Sequence, residues 1–184
     1  LESGDFTRCY LRGARLDGAD LTGSILDGAD LSGSSLVDTS LESVHAHDAN
    51  FERSRLPDVR ASDGADFTRA RFVLVDAAGA QFQGAILFDA NLAGSNFEGA
   101  DFSGARAARV NLLRCVLRGA CLDRADLTEA VLIEANLFEA SLNETLLLRA
   151  DARGAHLHTA DLWRANTHGA LFDAAVLERT LLER

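Results

Sequence analysis

The sequence predicts an all-β chain of very short strands that turns a corner every five residues, and three regularities predict it. Large apolar residues recur at every fifth position, as with leucine at 21, 26, 31 and 36. Of 37 such centres along the chain, 31 are Leu or Phe. The residue two places before a centre, from Gly4 to Thr180, is always Gly, Ala, Ser, Thr, Cys or Val. The two residues after a centre are often Asp, Ser or Thr followed by Gly, as in Asp17-Gly18, Thr22-Gly23, Asp27-Gly28 and Ser32-Gly33. A period of five suits neither regular element. On a helix it advances about 500°, so no common stripe forms. On a straight strand it is odd, so successive centres would face opposite sides.

Each element then follows in order. Two restricted positions separated by two residues point to the same side of an extended segment. A repeat is therefore small-polar-large, with its ends inward and its middle outward. The next two residues turn the corner, where Gly accommodates positive φ. Walls meeting at close corners leave room for one large side chain each, so the other inward residue must be small. Centres run from 1 to 61 in steps of five and from 67 to 182 in steps of five. The one-residue phase break lies within 57–66, in Pro57-Asp58-Val59-Arg60-Ala61-Ser62-Asp63-Gly64, and reads as a bulge at a corner. Residues 1–184 read as one repeat domain. With no Met, and the repeat already running at Leu1, the chain is expected to be a segment of a longer protein.

Composition bounds the function. Net charge is −10, and all 18 cations are Arg. That balance argues against direct nucleic-acid binding and favours a solvated acidic surface or a basic partner. No apolar run approaches the ~18 residues of a membrane-spanning helix. Three Cys are too few and scattered for a disulfide scaffold or zinc site, so a reducing, cytoplasmic setting is expected.

The triplets Ala19-Asp20-Leu21, Ala29-Asp30-Leu31, Ala65-Asp66-Phe67, Ala100-Asp101-Phe102, Ala125-Asp126-Leu127 and Ala160-Asp161-Leu162 resemble the (A/S)(D/N)(L/F)xx consensus of the pentapeptide repeat family. The resemblance covers essentially the whole chain. It implies a right-handed quadrilateral parallel β-helix, a solenoid of about nine 20-residue coils with a packed interior. Some family members mimic duplex DNA, bind DNA gyrase and protect it from quinolones and related toxins.

Stacking at 20 residues lets the outer surface be read column by column. Arg109, Glu129 and Arg149 share one column, and Arg124, Glu144 and Arg164 another, as inter-coil ion-pair ladders. Glu129, Glu134, Glu139 and Glu144 ring one coil on different corners, too far apart for metal binding or acid–base chemistry. His45 and His47, and His156 and His158, flank short strands, and Asp27 should lie one coil from His47. No further convergent ligand is evident, so no metal site is assigned. Cys9 and Cys115 fall at small inward positions and Cys121 at an outward one. No paired base accompanies the Ser and Thr residues, and every Gly belongs to the five-residue rhythm. The chain is therefore read as non-enzymatic and without cofactors.

What remains is surface. Residues 1–66 carry net −7 and the rest −3, so the N-terminal coils are the acidic end. Further on, Val73, Ala93, Leu113 and Ile133 form one outward apolar column, with Phe88, Val131, Phe138, Leu146 and Leu148 on it or on neighbouring walls. These eight larger residues are the candidate partner surface, with self-association expected through the C-terminal two-thirds. The function expected is a rigid scaffold or protein–protein interaction domain of a larger bacterial-type protein. The alternative is the DNA-mimicking, gyrase-binding role that the resemblance implies. Against it, arginines interrupt the acidic columns, and the chain ends VLERTLLER in mid-rhythm, without a capping or dimerising segment.

Overall fold

The computed structural model describes residues 1–62 and 64–181. Asp63, inside the expected phase break, and Leu182, the last expected centre, lie outside the described residues. Each repeat pairs in parallel with the neighbouring coils through one residue, the one before its centre. Asp5 bridges Ile25 and Ile25 bridges His45; three further series start at Tyr10, Arg15 and Asp20 and step in the same way. One circuit takes 20 residues, so the chain is a β-solenoid. We number its faces first to fourth by the bridge columns beginning at Asp5, Tyr10, Arg15 and Asp20. A corner takes the numbers of the faces it joins. Across the segment 61–66 the step becomes 21, as in His45–Asp66 and Asn50–Arg71. The extra residue sits at the 4–1 corner, where the turn closes from the Ala65 N–H to the Ser62 carbonyl and Gly64 has φ +81°.

Counting backbone donors explains the repeat's polar residue. In the repeat centred on Leu21, the Leu21 N–H donates to the Ser40 carbonyl and the Gly23 N–H to the Glu42 carbonyl, one coil on. The Ser24 N–H closes the turn onto the Leu21 carbonyl, and the Ile25 N–H reaches back to the Gly4 carbonyl. Only the Thr22 N–H lacks a backbone acceptor, and Asp20 Oδ1 takes it at 3.0 Å. The same bond recurs from Thr68 to Asp66, Leu113 to Asn111 and Phe138 to Asn136. Where such an Asp or Asn stands before the centre and makes this bond, it is a turn cap that satisfies the one donor the ladder leaves over. Positive φ at the second corner residue completes the turn, for Gly18 (+65°) and equally for Asp48 (+56°) and Glu129 (+59°).

Inside, the centres from Leu21 to Leu162 are buried, while Leu1 and Leu177 in the terminal coils are 62% and 40% exposed. Most inward Ser and Thr residues, and Cys115, donate to a backbone carbonyl: Ser54, Thr145 and Cys115 to those of Leu31, Leu122 and Leu92, while Ser34 donates to the Ser54 hydroxyl. Volume is balanced between coils. Ala46, Ala61, Ala77 and Ala152 each stand one coil before a Phe in the same column, namely Phe67, Phe82, Phe97 and Phe172. Ala107 breaks that rule, because Leu127 follows it. A void of about 10 Å³ lies there, lined by Leu87, Phe102, Ala107, Leu112 and Leu127 among others. No helix among the described residues is long and apolar enough to cross a membrane.

Candidate interaction surface

The outward residues fall into columns whose charge differs sharply from face to face. The fourth face with its two corners carries 13 acids and 5 Arg among the described residues, net −8. The second face with its two corners carries nine acids and nine Arg, net zero. The −10 of the chain is therefore segregated sideways, across the solenoid, as well as along it.

On the neutral face the charges pair. Along the 1–2 corner, Arg69 holds Asp48 with bonds of 2.8 and 2.7 Å, and Arg109 holds Asp89 with 2.6 and 2.7 Å. Arg149 donates to Glu129 at 2.5 Å. At the 2–3 corner Arg114 meets Glu134 at 2.7 Å. Hydrogen bonds from their arginines, outweighing partial desolvation, hold Asp48 and Asp89 below the usual carboxylate range. The expected Arg109–Glu129–Arg149 column is corrected: Arg109 turns to Asp89 with a two-pronged bond and leaves Glu129 to Arg149. Arg124 meets Glu144 at 3.2 Å, and the Arg164 guanidinium lies over the Trp163 ring at 4.1 Å. Such exposed pairs add little stability individually. The pairs of the 1–2 and 2–3 corners cancel charge on this side, whereas Arg124–Glu144 lies at the 4–1 corner.

The eight apolar candidates do not form one patch. Val73, Leu113 and Ile133 follow the 2–3 corner, Val131 lies on the second face, and Phe88 and Leu148 follow the 1–2 corner. Leu146 lies on the first face beside the 1–2 corner, and Phe138 at the 3–4 corner, apart from the others. Only Leu146 is fully open, at 39%; the rest are half-buried. Arg106 covers the Phe88 ring at 4.9 Å, and Arg118 covers Phe138 at 5.1 Å. Phe138 also stacks on His158, with ring centroids 5.6 Å apart.

The His pairs are drawn into the fold. Asp27 Oδ1 accepts the His47 N–H at 2.9 Å. His47 Nε2 lies 2.9 Å from Asp66 Oδ2, but its alignment is too poor for a hydrogen bond. Burial pushes the Asp66 carboxyl upward, yet bonds from Thr68 and the contact with His47 bring it below its ordinary value. His158 Nδ1 lies 3.8 Å from Glu178. No group of three or more potential ligands among the described residues is placed to hold a metal ion. Burial pushes the Cys115 thiol up to about 12.

The sequence reading missed two pairs of the 1–2 corner ladder. Asp48 and Arg69 are 21 residues apart, across the phase break, and so fall off the 20-residue step. Asp89 and Arg109 stand at the ordinary 20-residue step, a signal that was present in the sequence.

A family model described as Pentapeptide repeats matches the chain in 8 copies, over 5–42, 24–60, 85–124, 95–132, 111–147 and 130–166. A search of curated proteins returns no match. Among solved structures, the chain is similar to HetL of the cyanobacterium Nostoc sp. strain PCC 7120, a pentapeptide repeat protein involved in heterocyst differentiation regulation. Identity is 24%, over 95% of this chain and 90% of HetL, with a TM-score of 0.55. Rfr23 of the cyanobacterium Cyanothece 51142 is 20% identical over 81% of this chain and 91% of its own, with a TM-score of 0.41. QnrB1, a plasmid-mediated fluoroquinolone resistance protein, is 18% identical over 95% and 87%, with a TM-score of 0.40.

Proposed function

Because the chain belongs to the pentapeptide repeat family, we propose that it is a rigid, non-enzymatic scaffold rod that presents its acidic fourth face to a protein with a basic surface. In this reading residues 1–184 form one domain, a right-handed quadrilateral β-helix of about nine coils. At ~4.8 Å per stacked strand it is about 43 Å long. The observation that carries the proposal is the sideways segregation of charge, net −8 on the fourth face against zero on the second. A rod whose interior is filled and whose backbone donors are used within the solenoid has its outer lattice of side chains left for recognition. A field of one sign on one face steers and orients a partner of opposite sign.

The test uses a fluorescent Arg-rich peptide as probe, with anisotropy read at several salt concentrations. Neutralising Asp58, Glu98 and Glu139, which point from the 3–4 corner, should weaken binding at least tenfold and flatten its salt dependence. Neutralising Asp89, Glu129 and Glu134 on the neutral side should not weaken it. Equal losses from both triples would refute the face assignment. The same charge field also favours a second reading, in which the partner is DNA gyrase and the rod stands in for duplex DNA. Inhibition of gyrase supercoiling at micromolar rod, lost with the same fourth-face triple, would select it. Uninhibited supercoiling would reject it.

A further inference from the structure

The neutral second face is self-complementary about a single point, and we infer that it is the surface on which a second copy of this chain docks, antiparallel and face to face. Along the 1–2 corner the charges read Asp48, Arg69, Asp89, Arg109, Glu129, Arg149, one per coil. Six alternating signs reverse about the midpoint between Asp89 and Arg109. A copy turned end for end about that midpoint sets Asp48 against Arg149, Arg69 against Glu129 and Asp89 against Arg109.

Two other columns share the same midpoint. Along the 2–3 corner the apolar run Val73, Ala93, Leu113, Ile133 is centred on it, so Val73 meets Ile133 and Ala93 meets Leu113. Glu52 and Arg153 flank that run with opposite charge and meet each other. In the bridge column Asn91 and Asn111 straddle the midpoint and face each other as two amides. Two pairings add nothing: Arg71 meets Val131 and stays with its own Glu52 at 3.0 Å, and Leu74 meets Glu134.

A two-fold axis of this kind is what an isologous dimer requires, since each residue that meets a partner is met by it in turn. The existing intramolecular ion pairs need not break. A guanidinium has five donors and a carboxylate about four acceptor sites, so each can serve two partners. Half-buried apolar residues between lines of neutralised charge resemble an interface core with a polar rim. The fourth face cannot meet its own copy, because its excess of carboxylates would be doubled.

The six coils involved measure about 29 Å along the rod, from ~4.8 Å per coil. Three extended residues and the corner side chains give a width of about 20 Å. Each copy thus buries roughly 600 Å², about 1,200 Å² in all, at the lower edge of specific interfaces. An interface of that size belongs to weak, reversible dimers, and its ion pairs make it weaken as salt rises. The pairing is independent of which partner the acidic face meets, and it leaves that face free.

The experiment is sedimentation equilibrium from 5 to 200 µM at low salt, on the full chain. The expected mass rises from 19.7 kDa towards twice that value. Asn91→Asp/Asn111→Asp should weaken association at least tenfold by placing four carboxylates at the two-fold axis. Its fold should be unchanged, because Asp101 and Asp126 cap their turns from the same repeat position. Asn91→Asp/Asn111→Arg should restore association, because residue 91 of one copy meets 111 of the other. Arginine is accommodated at that repeat position, as Arg71 and Arg106 show. A parallel dimer would set 91 against 91 and fail. Asn136→Asp/Asn166→Asp, with the same added charge on the third and first faces, should change nothing. A wild-type mass of 19.7 kDa throughout would overturn the inference. So would an undiminished first variant, a third-and-first-face control that weakens association equally, or a second variant as weak as the first.

Discussion

Filling the void beside Ala107 should stabilise the solenoid, whereas the same change at Ala77 should weaken it. The contrast comes from the coil that follows. Phe97 stands one coil beyond Ala77 in its column and supplies the volume that alanine lacks. Leu127 stands beyond Ala107 and does not, and the void of about 10 Å³ remains. Ala107→Val adds two methyl-sized groups. At roughly 0.8 kcal/mol per buried carbon they would contribute at most about 1.6 kcal/mol. The void is smaller than two methyls, so Leu87 and Leu112 must yield, and a net gain of about 0.5–1 kcal/mol is expected. Valine also suits an extended segment. At Ala77 the same valine meets a filled space and should cost about 1–3 kcal/mol through overpacking. For a chain of this size, 1 kcal/mol is about 2–4 °C in Tm. Calorimetric or urea unfolding of the two variants beside the parent measures the difference. Equal destabilisation by both would refute the idea that alternate coils balance volume through Ala and Phe.

Other consequences are as direct. Hydrogen bonds from Thr7, Thr22 and Ser32 hold Asp5, Asp20 and Asp30 below their ordinary value, against some desolvation. Their contribution to stability is therefore present above about pH 4 and lost as pH falls through their lowered folded values. Acid titration of Tm should show this loss, and Asp20→Asn, which keeps the turn cap, should reduce its slope. Leu127→Asp places a carboxylate in the buried core and should yield insoluble or unfolded protein; a soluble variant with a cooperative melt would contradict the burial of centres. Cys115, with its thiol pushed up to about 12, should resist iodoacetamide at pH 8 in the folded chain and react on unfolding. Cys115→Ser should fold, since Ser54 makes the equivalent inward bond.

The solenoid was legible because its constraint is strictly local. A five-residue period leaves one large and one small inward position, and Leu127 and Ala125 can be assigned by counting. The role of Asp20 was not, since the orphan N–H of Thr22 appears only when every other donor in the repeat has found its acceptor. The apolar surface misled for a different reason. Val131 and Leu146 precede centres while Val73 and Phe138 follow them, and pooling the two kinds of position joined residues from different faces. Arg106 and Arg118 then cover two of the aromatic rings, which spacing cannot reveal. Dividing charge along the chain gave an acidic N-terminal end, but dividing it by column gives an acidic side. Only the second division matches a surface that one partner can touch.

That distinction changes what the net charge of −10 means for recognition. Asp5, Asp20, Asp30, Asp66, Asp101, Asp126, Asp151 and Asp161 all cap their own turns, so the fold itself uses them whatever the rod binds. Their charge reaches solvent, but their presence is no sign of a partner. The 3–4 corner differs, because Asp58, Glu98 and Glu139 occupy corner positions that glycine or alanine fills in other coils of the column. Nothing in the turn requires a carboxylate there. Of the three, Glu98 meets an arginine one coil away, Arg118, at 4.0 Å, whereas on the 1–2 corner Asp48, Asp89 and Glu129 are held by arginines at 2.5–2.8 Å. Acid retained without a structural use and without full compensation is the part of the charge that can serve binding. It lies on the face turned away from the self-complementary one, so a dimer would expose two acidic sides, and binding of a basic partner and self-association can be measured apart in one protein.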